Sequence, residues 1–251
     1  MGNGRRFGIE LEFDNEWEYI KKHASKIIKK IYGPRRYIAR NDGFDSDFAL
    51  NKWHIKVDGN THAEITSPVS KFKDIEKILT VIDYISDQSV NCGEDDGFHI
   101  HIDVGDIDKY HLLSGWLRCE KTIYKMFPKE RKDNAHCEKL AHRSGKIIST
   151  SIEDIMEESE NHSAVLSCQR YDERKTVEFR IAESTTDIKF IRAWIIFIIK
   201  FIDSVKKINP TIIGKYKTNH LGWAGLMGEV ELEERIQKVL KKRYNKYKSE
   251  K

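Results

Sequence analysis

The chain has 251 residues, with 44 basic and 40 acidic side chains, a net charge of +4, 39% hydrophobic residues and 33% charged residues. This mixture is globular and excludes a disordered chain or a collagen-like repeat. At roughly 150 residues per domain the length allows one large domain or two small ones, and with 4 prolines and 15 glycines long flexible linkers are not expected.

Residues 6–13 read as a strand, with Phe7, Ile9, Leu11 and Phe13 alternating with Gly8, Glu10 and Glu12. Residues 15–32 have helical spacing through Trp17, Ile20, Ala24, Ile27, Ile28 and Ile31, and Gly33-Pro34 stops that helix. A polar loop covers 41–51. Strands at 53–58 and 62–66 follow, joined by the turn former Asp58-Gly59-Asn60. Next come a helix over 71–87, a strand at 98–104, a helix over 107–127 and a polar stretch to residue 150. Ser151-x-x-Asp154 opens a further short helix. Strands at 164–170 and 175–182 make a hairpin around Asp172-Glu173-Arg174, and helices are expected at 187–207 and 229–247. Gly222, Gly225 and Gly228 read as a turn-rich segment. Short turns between strand pairs favour an antiparallel or mixed sheet, so the class is α+β. No internal repeat or composition break marks a second domain.

The four cysteines, Cys92, Cys119, Cys137 and Cys168, form no CxxC pair, so they read as free thiols of an intracellular protein. Met1 to Arg6 has no leader-like apolar core. The run Ala193 to Ile199 is far shorter than the about 20 residues a bilayer demands. A cytoplasmic protein without membrane contact is expected. Residues 21–40 carry eight Lys or Arg and no acid, and the tail from Lys238 carries seven against Glu250 alone. These stretches fit either a polyanion such as nucleic acid or the solvated faces of two helices.

Three strands carry chemistry on their polar face. Side chains at i and i+2 share a face, which groups Glu10 with Glu12, His99 with His101 and Asp103, and Glu178 with Arg180. Wet strand faces also alternate, and Glu178 with Arg180 could be a surface ion pair of little worth. Across all three strands, however, the choice of Glu, His, Asp and Arg suits a hard divalent cation and phosphate oxygens. Gly8 leaves room beside them for a ligand. The hairpin adds Asp58 and Glu64, which spacing alone does not bring to the same place. P-loop, GxGxxG, GxSxG and HExxH motifs are absent. Cys137 reads as a buried thiol rather than a nucleophile.

In order, Phe7-Gly8-Ile9-Glu10-Leu11-Glu12-Phe13, Trp53 with Lys56-x-Asp58-Gly59, Glu64-Ile65-x-Ser67-Pro68, Gly97-Phe98-His99-Ile100-His101-Ile102-Asp103 and Thr176-Val177-Glu178-Phe179-Arg180 resemble the amidoligases. These are carboxylate–amine ligases related to glutamine synthetase and glutamate–cysteine ligase. A segment from Arg131 to Cys137 is also similar. The resemblance spans 7 to about 202 and leaves a helical C-terminal extension, 207–251, without a role. Asn60 replaces the Ser common after Asp-Gly, and Phe98 precedes His99; neither change removes a ligand.

The resemblance implies one catalytic domain over 1–251 with a glutamine synthetase-like fold: a curved, mainly antiparallel sheet with helices on its outer face. ATP and Mg2+ or Mn2+ would lie in its trough. It implies transfer of the ATP γ-phosphoryl group to a carboxylate, then attack by an amine to give an amide. Glu12, Asp58 and Glu64 would hold a metal near the acceptor, and Glu10, His99 and Glu178 a metal at the ATP phosphates. His101 would lie near the nucleotide, and Arg180 would steady the transferring phosphoryl group. Whether His99 or His101 is the ligand stays open. The acid and amine partners, an amino acid, peptide or protein among them, and the oligomeric state are not specified. The resemblance fits a bacterial or phage source, the latter placing the protein in host cytoplasm. A two-metal nuclease gripping nucleic acid through the basic stretches, or a non-catalytic binding protein on this scaffold, are the competing readings.

Overall fold

The computed structural model describes residues 4–41, 50–58, 62–132, 134–140, 142–143, 146–147, 152–206 and 220–250. The elements in chain order are β1 (Arg6–Phe13), α1 (Trp17–Tyr32), β2 (Tyr37–Ala39), β3 (Trp53–Asp58), β4 (His62–Thr66) and β5 (Ser70–Lys71). A 3-10 turn (Phe72–Asp74), α2 (Ile75–Ser86), β6 (Gly97–Asp103), α3 (Lys109–Tyr124) and α4 (Lys129–Lys132) follow. The remainder is β7 (His142–Arg143), β8 (Lys146–Ile147), α5 (Ile152–Ser159), β9 (Leu166–Ser167), α6 (Tyr171–Arg174), β10 (Thr176–Glu183), α7 (Ile188–Val205), α8 (Trp223–Val230) and α9 (Glu234–Tyr247). The expected α+β class holds. The main sheet is single, open and mostly antiparallel, in the order β2-β3-β4-β1-β6-β10-β9, with β5 also on β1; β1 runs antiparallel to β4 and β5, β3 to β4 and β9 to β10, while β2 and β3 are parallel.

The chain divides into two compact units, one of 3–101 with 182–192 and one of 102–181 with 193–251. In the first, β1 alternates as its sequence requires: Phe7, Ile9, Leu11 and Phe13 are buried while Glu10 and Glu12 are partly open. Helix α1 packs on α2, β3 and β4, burying Ile20, Ala24, Ile27 and Ile28 at helical spacing. Its outer face bears the exposed Lys22, Lys26, Lys29 and Lys30. Gly33, at φ 95°, ends the helix with its N–H on the Lys29 carbonyl.

In the second unit an aromatic cluster forms the core. Trp194 stacks on Phe197, Phe197 on Phe201, and Trp116 packs edge-on to Phe179 and Phe201. The buried carboxyl of Glu120 accepts from Trp116 Nε1 at 2.9 Å and Leu140 N at 3.0 Å, so this polar group in the core is hydrogen-bonded.

Several expectations change. The glycine series does not make a turn-rich segment: Gly225 and Gly228 lie inside α8, where Leu226, Met227 and Val230 are buried and offset the glycines' poor helix propensity. The expected 229–247 helix is two helices, broken at Glu231 in the left-handed region (φ 52°). The turn at 172–174 contains the short α6, which ends at left-handed Lys175. Strand β2 and the β7–β8 hairpin are additional to the elements expected from the sequence. The basic tail is partly structural: Arg243 Nε donates to the Met126 carbonyl, its guanidinium lies over Phe127 and Tyr247, and burial pulls its pKa down to about 10. The expected 41–51 loop falls mostly outside the described residues, as do Gly59 and Asn60.

Candidate functional site

In the first unit strand register builds rows across one sheet face. On β1, β4 and β3, Glu12 pairs with Glu64 and Glu64 with Lys56; one row along, Glu10 pairs with Thr66 and Thr66 with His54. The next row pairs the Asp58 backbone with His62. Residues two apart share a face, so Glu10 and Glu12 fall together with Glu64 although 52 to 54 positions separate them in the chain. Lys56 Nζ lies 3.2 Å from Glu64 Oε1, and Thr66 Oγ1 donates to that same oxygen at 2.7 Å. Glu64 is only 3% exposed.

Strand β6 brings the imidazoles. His99 Nδ1 lies 3.5 Å from Glu10 Oε2 and its Nε2 lies 3.7 Å from Glu12 Oε1, while His101 Nε2 lies 3.0 Å from Glu10 Oε1. The Gly97 N–H donates to Glu12 Oε2. Burial alone would push the Glu10 carboxyl up, but the charge and hydrogen bonding of His101, then of His99, hold it well below the usual carboxylate range. The Ser67 hydroxyl accepts from Ile9 N at 3.0 Å, and the Ser67 N–H donates to the Ile9 carbonyl, fixing β1 beside the 67–68 turn. Gly8 is buried against Ser67 rather than open for an approaching ligand, and a Cβ there would lie 3.9 Å from the Ser67 carbonyl oxygen.

In the second unit Glu178 and Arg180 pair on β10, but not at the surface: they are 9% and 6% exposed. Arg180 Nε donates to the His136 carbonyl at 3.0 Å. Arg131, 1% exposed, sends Nη2 to the Arg180 carbonyl at 2.7 Å and Nε to that of Ile181 at 3.3 Å. The segment from Arg131 to Cys137 therefore grips the strand that presents Glu178 and Arg180. Cys137 is fully buried, its Sγ 3.1 Å from the Arg131 carbonyl, and burial pushes its thiol up, as expected of a structural cysteine. The Asp103 Oδ1 accepts from Gly105 N at 3.1 Å. Arg131, Gly97 and Ser67 stood in the motifs without a role. A hydrogen-bond donor to a distant strand leaves no periodic signal.

Fold and site together define an α+β protein that holds carboxylates and imidazoles side by side on one sheet face. The model of the family described as "Putative amidoligase enzyme" matches residues 3–202, and the chain belongs to that family. The family is one of ligases. No curated protein matches the chain. Among the described residues no helix is long and apolar enough to cross a membrane.

Proposed function

We propose that this chain is an ATP-dependent carboxylate–amine ligase with a glutamine synthetase-like fold, acting in the cytoplasm. The observation that carries the reading is the cluster of Glu10, Glu12, His99 and His101 in a member of the amidoligase family. By the resemblance, two carboxylates and an imidazole, Glu10, His99 and Glu178, are the groups that would hold a cation at the ATP phosphates. That donor set suits Mg2+ or Mn2+. When bound, the cation neutralises phosphate oxygens, the main requirement of phosphoryl transfer.

The chain's own residues do the rest. A carboxylate oxygen of the acid attacks the γ-phosphorus and ADP leaves; the amine then attacks the acyl carbon, phosphate leaves and the amine gives up its proton. Arg180 is the planar donor for the transferring oxygens, and Arg131 and His136 hold it in place. His101 borders the nucleotide, and Glu12, Asp58 and Glu64 surround the acid being activated, Glu64 and Asp58 ordering it for attack. The acyl phosphate survives only where water is excluded, which the burial of Glu64 and His99 favours.

The test is calorimetric titration of a non-hydrolysable ATP analogue, with and without Mg2+, into the native protein and Glu10→Ala. Magnesium-dependent binding that the substitution abolishes is expected. No nucleotide binding under either condition would reject the ligase.

A further inference from the structure

We infer that Lys56, rather than a second cation, supplies the positive charge at Glu64, and that its ammonium is the group that receives the anionic end of the acid substrate. The inference rests on the ligase reading of the same site but departs from the two-cation arrangement that resemblance implies. Its basis lies in the row Lys56–Glu64–Glu12. The Glu64 carboxylate is buried, and one of its oxygens already takes the Lys56 ammonium at 3.2 Å and the Thr66 hydroxyl at 2.7 Å. A buried carboxylate needs a compensating charge, and Lys56 provides it from the same sheet face.

A divalent cation on Glu64 would stand within about 5 Å of that ammonium. This is inside the ~8 Å screening length at physiological salt, so the repulsion would be only partly screened. Lys56 and a cation therefore compete for Glu64. Glu10 does not share the conflict, since its row partner is Thr66 and the side chains paired with it are the imidazoles of His99 and His101 rather than a lysine. The face thus separates a cation end at Glu10 and His99 from an ammonium end at Lys56. A carboxylate or acyl-phosphate oxygen is what an ammonium on a flexible stem would receive. The substrate this end selects is a carboxylic acid bound as its anion.

Manganese titration followed by the electron paramagnetic resonance of free Mn2+, without nucleotide, tests the idea on the native chain, K56M and K56R. The native chain and K56R should each bind one Mn2+. K56M should gain a second site at least tenfold tighter than any second site of the native chain. A native chain that binds two ions within tenfold of each other, or a K56M that binds no more than the native chain, would overturn the role of Lys56 and leave the ligase reading standing. A native chain that binds no Mn2+ would reject the cation at Glu10 and His99, and this inference with it. Lys56 is partly exposed, and K56R controls for folding because it keeps the charge.

Discussion

Gly97 lies beneath the ring of His99: a Cβ at Gly97 would stand 2.2 Å from His99 Nε2 and 3.0 Å from its Cδ2. The two residues share a strand face at i and i+2, and the ring is buried with Glu10 on one side and Glu12 on the other. Gly97→Ala should therefore displace the imidazole rather than unfold β6. Overpacking of this kind costs roughly 1–3 kcal/mol. We expect at least tenfold weaker Mn2+ binding, with a cooperative melt retained. Unchanged affinity would mean that His99 finds another rotamer and that the glycine is dispensable.

Glu10 predicts an acid sensitivity. Its folded pKa lies well below the unfolded carboxyl's ~4.3, so the stability it adds is present above that value and is lost as pH falls through the folded pKa. Urea midpoints measured in chelator from pH 7 to 3 should drop for the native chain, and less steeply for Glu10→Gln. Parallel curves would remove Glu10 from the account.

Much of this could be read in advance. The bounds of β1, β6 and β10 agree to within a residue with those read from the sequence, because Phe7-x-Ile9-x-Leu11, Phe98-x-Ile100-x-Ile102 and Val177-x-Phe179-x-Ile181 keep a strict period of two. Their polar partners followed by alternation. The pairing of Lys56 with Glu64 and of Glu64 with Glu12 did not follow, since register belongs to two strands at once. Nor did β2, whose three residues are too few to show a period. The glycines of α8 pointed the wrong way because tertiary burial overrode local propensity.

Arg131 should matter for stability out of proportion to its place in a four-residue helix. Arg131→Ala would withdraw the donors to the Arg180 and Ile181 carbonyls in a fully buried setting, a loss of roughly 2–4 kcal/mol. Arg131→Lys keeps the charge but not the fork and should fall between the two in urea unfolding. A loss below about 1 kcal/mol for the alanine variant would show that β10 is held by other contacts.

Thiol labelling separates buried cysteines from a reactive one. Burial pushes Cys119 up to about 12 and Cys168 to about 11 and also raises Cys137 and Cys92, while Cys92 alone is not buried. Thiolate is the reactive form. At pH 8 a disulfide reagent should label at most Cys92 within minutes, and all four residues only in denaturant. Rapid labelling of Cys137 in the native chain would reopen a nucleophilic role.

The residues beyond the family match are part of the second unit's core. Helices α8 and α9 and the turn between them bury Leu226, Met227, Val230, Leu232, Ile236 and Leu240, each contributing about 1.5–3 kcal/mol as an upper estimate. Polar contacts reinforce them: Thr122 Oγ1 donates to the Leu221 carbonyl, Leu221 N to that of Arg118, and Lys132 Nζ to that of Tyr247 at 2.9 Å. A chain ending at residue 206 would expose the partners of all these groups, against a total stability of only about 5–15 kcal/mol for a typical domain. It should be insoluble, or lose its cooperative melt and become sensitive to trypsin in 102–181. A soluble 1–206 chain that melts cooperatively within a few degrees of the native protein would show that the family-matched region is self-sufficient and the last two helices merely rest upon it.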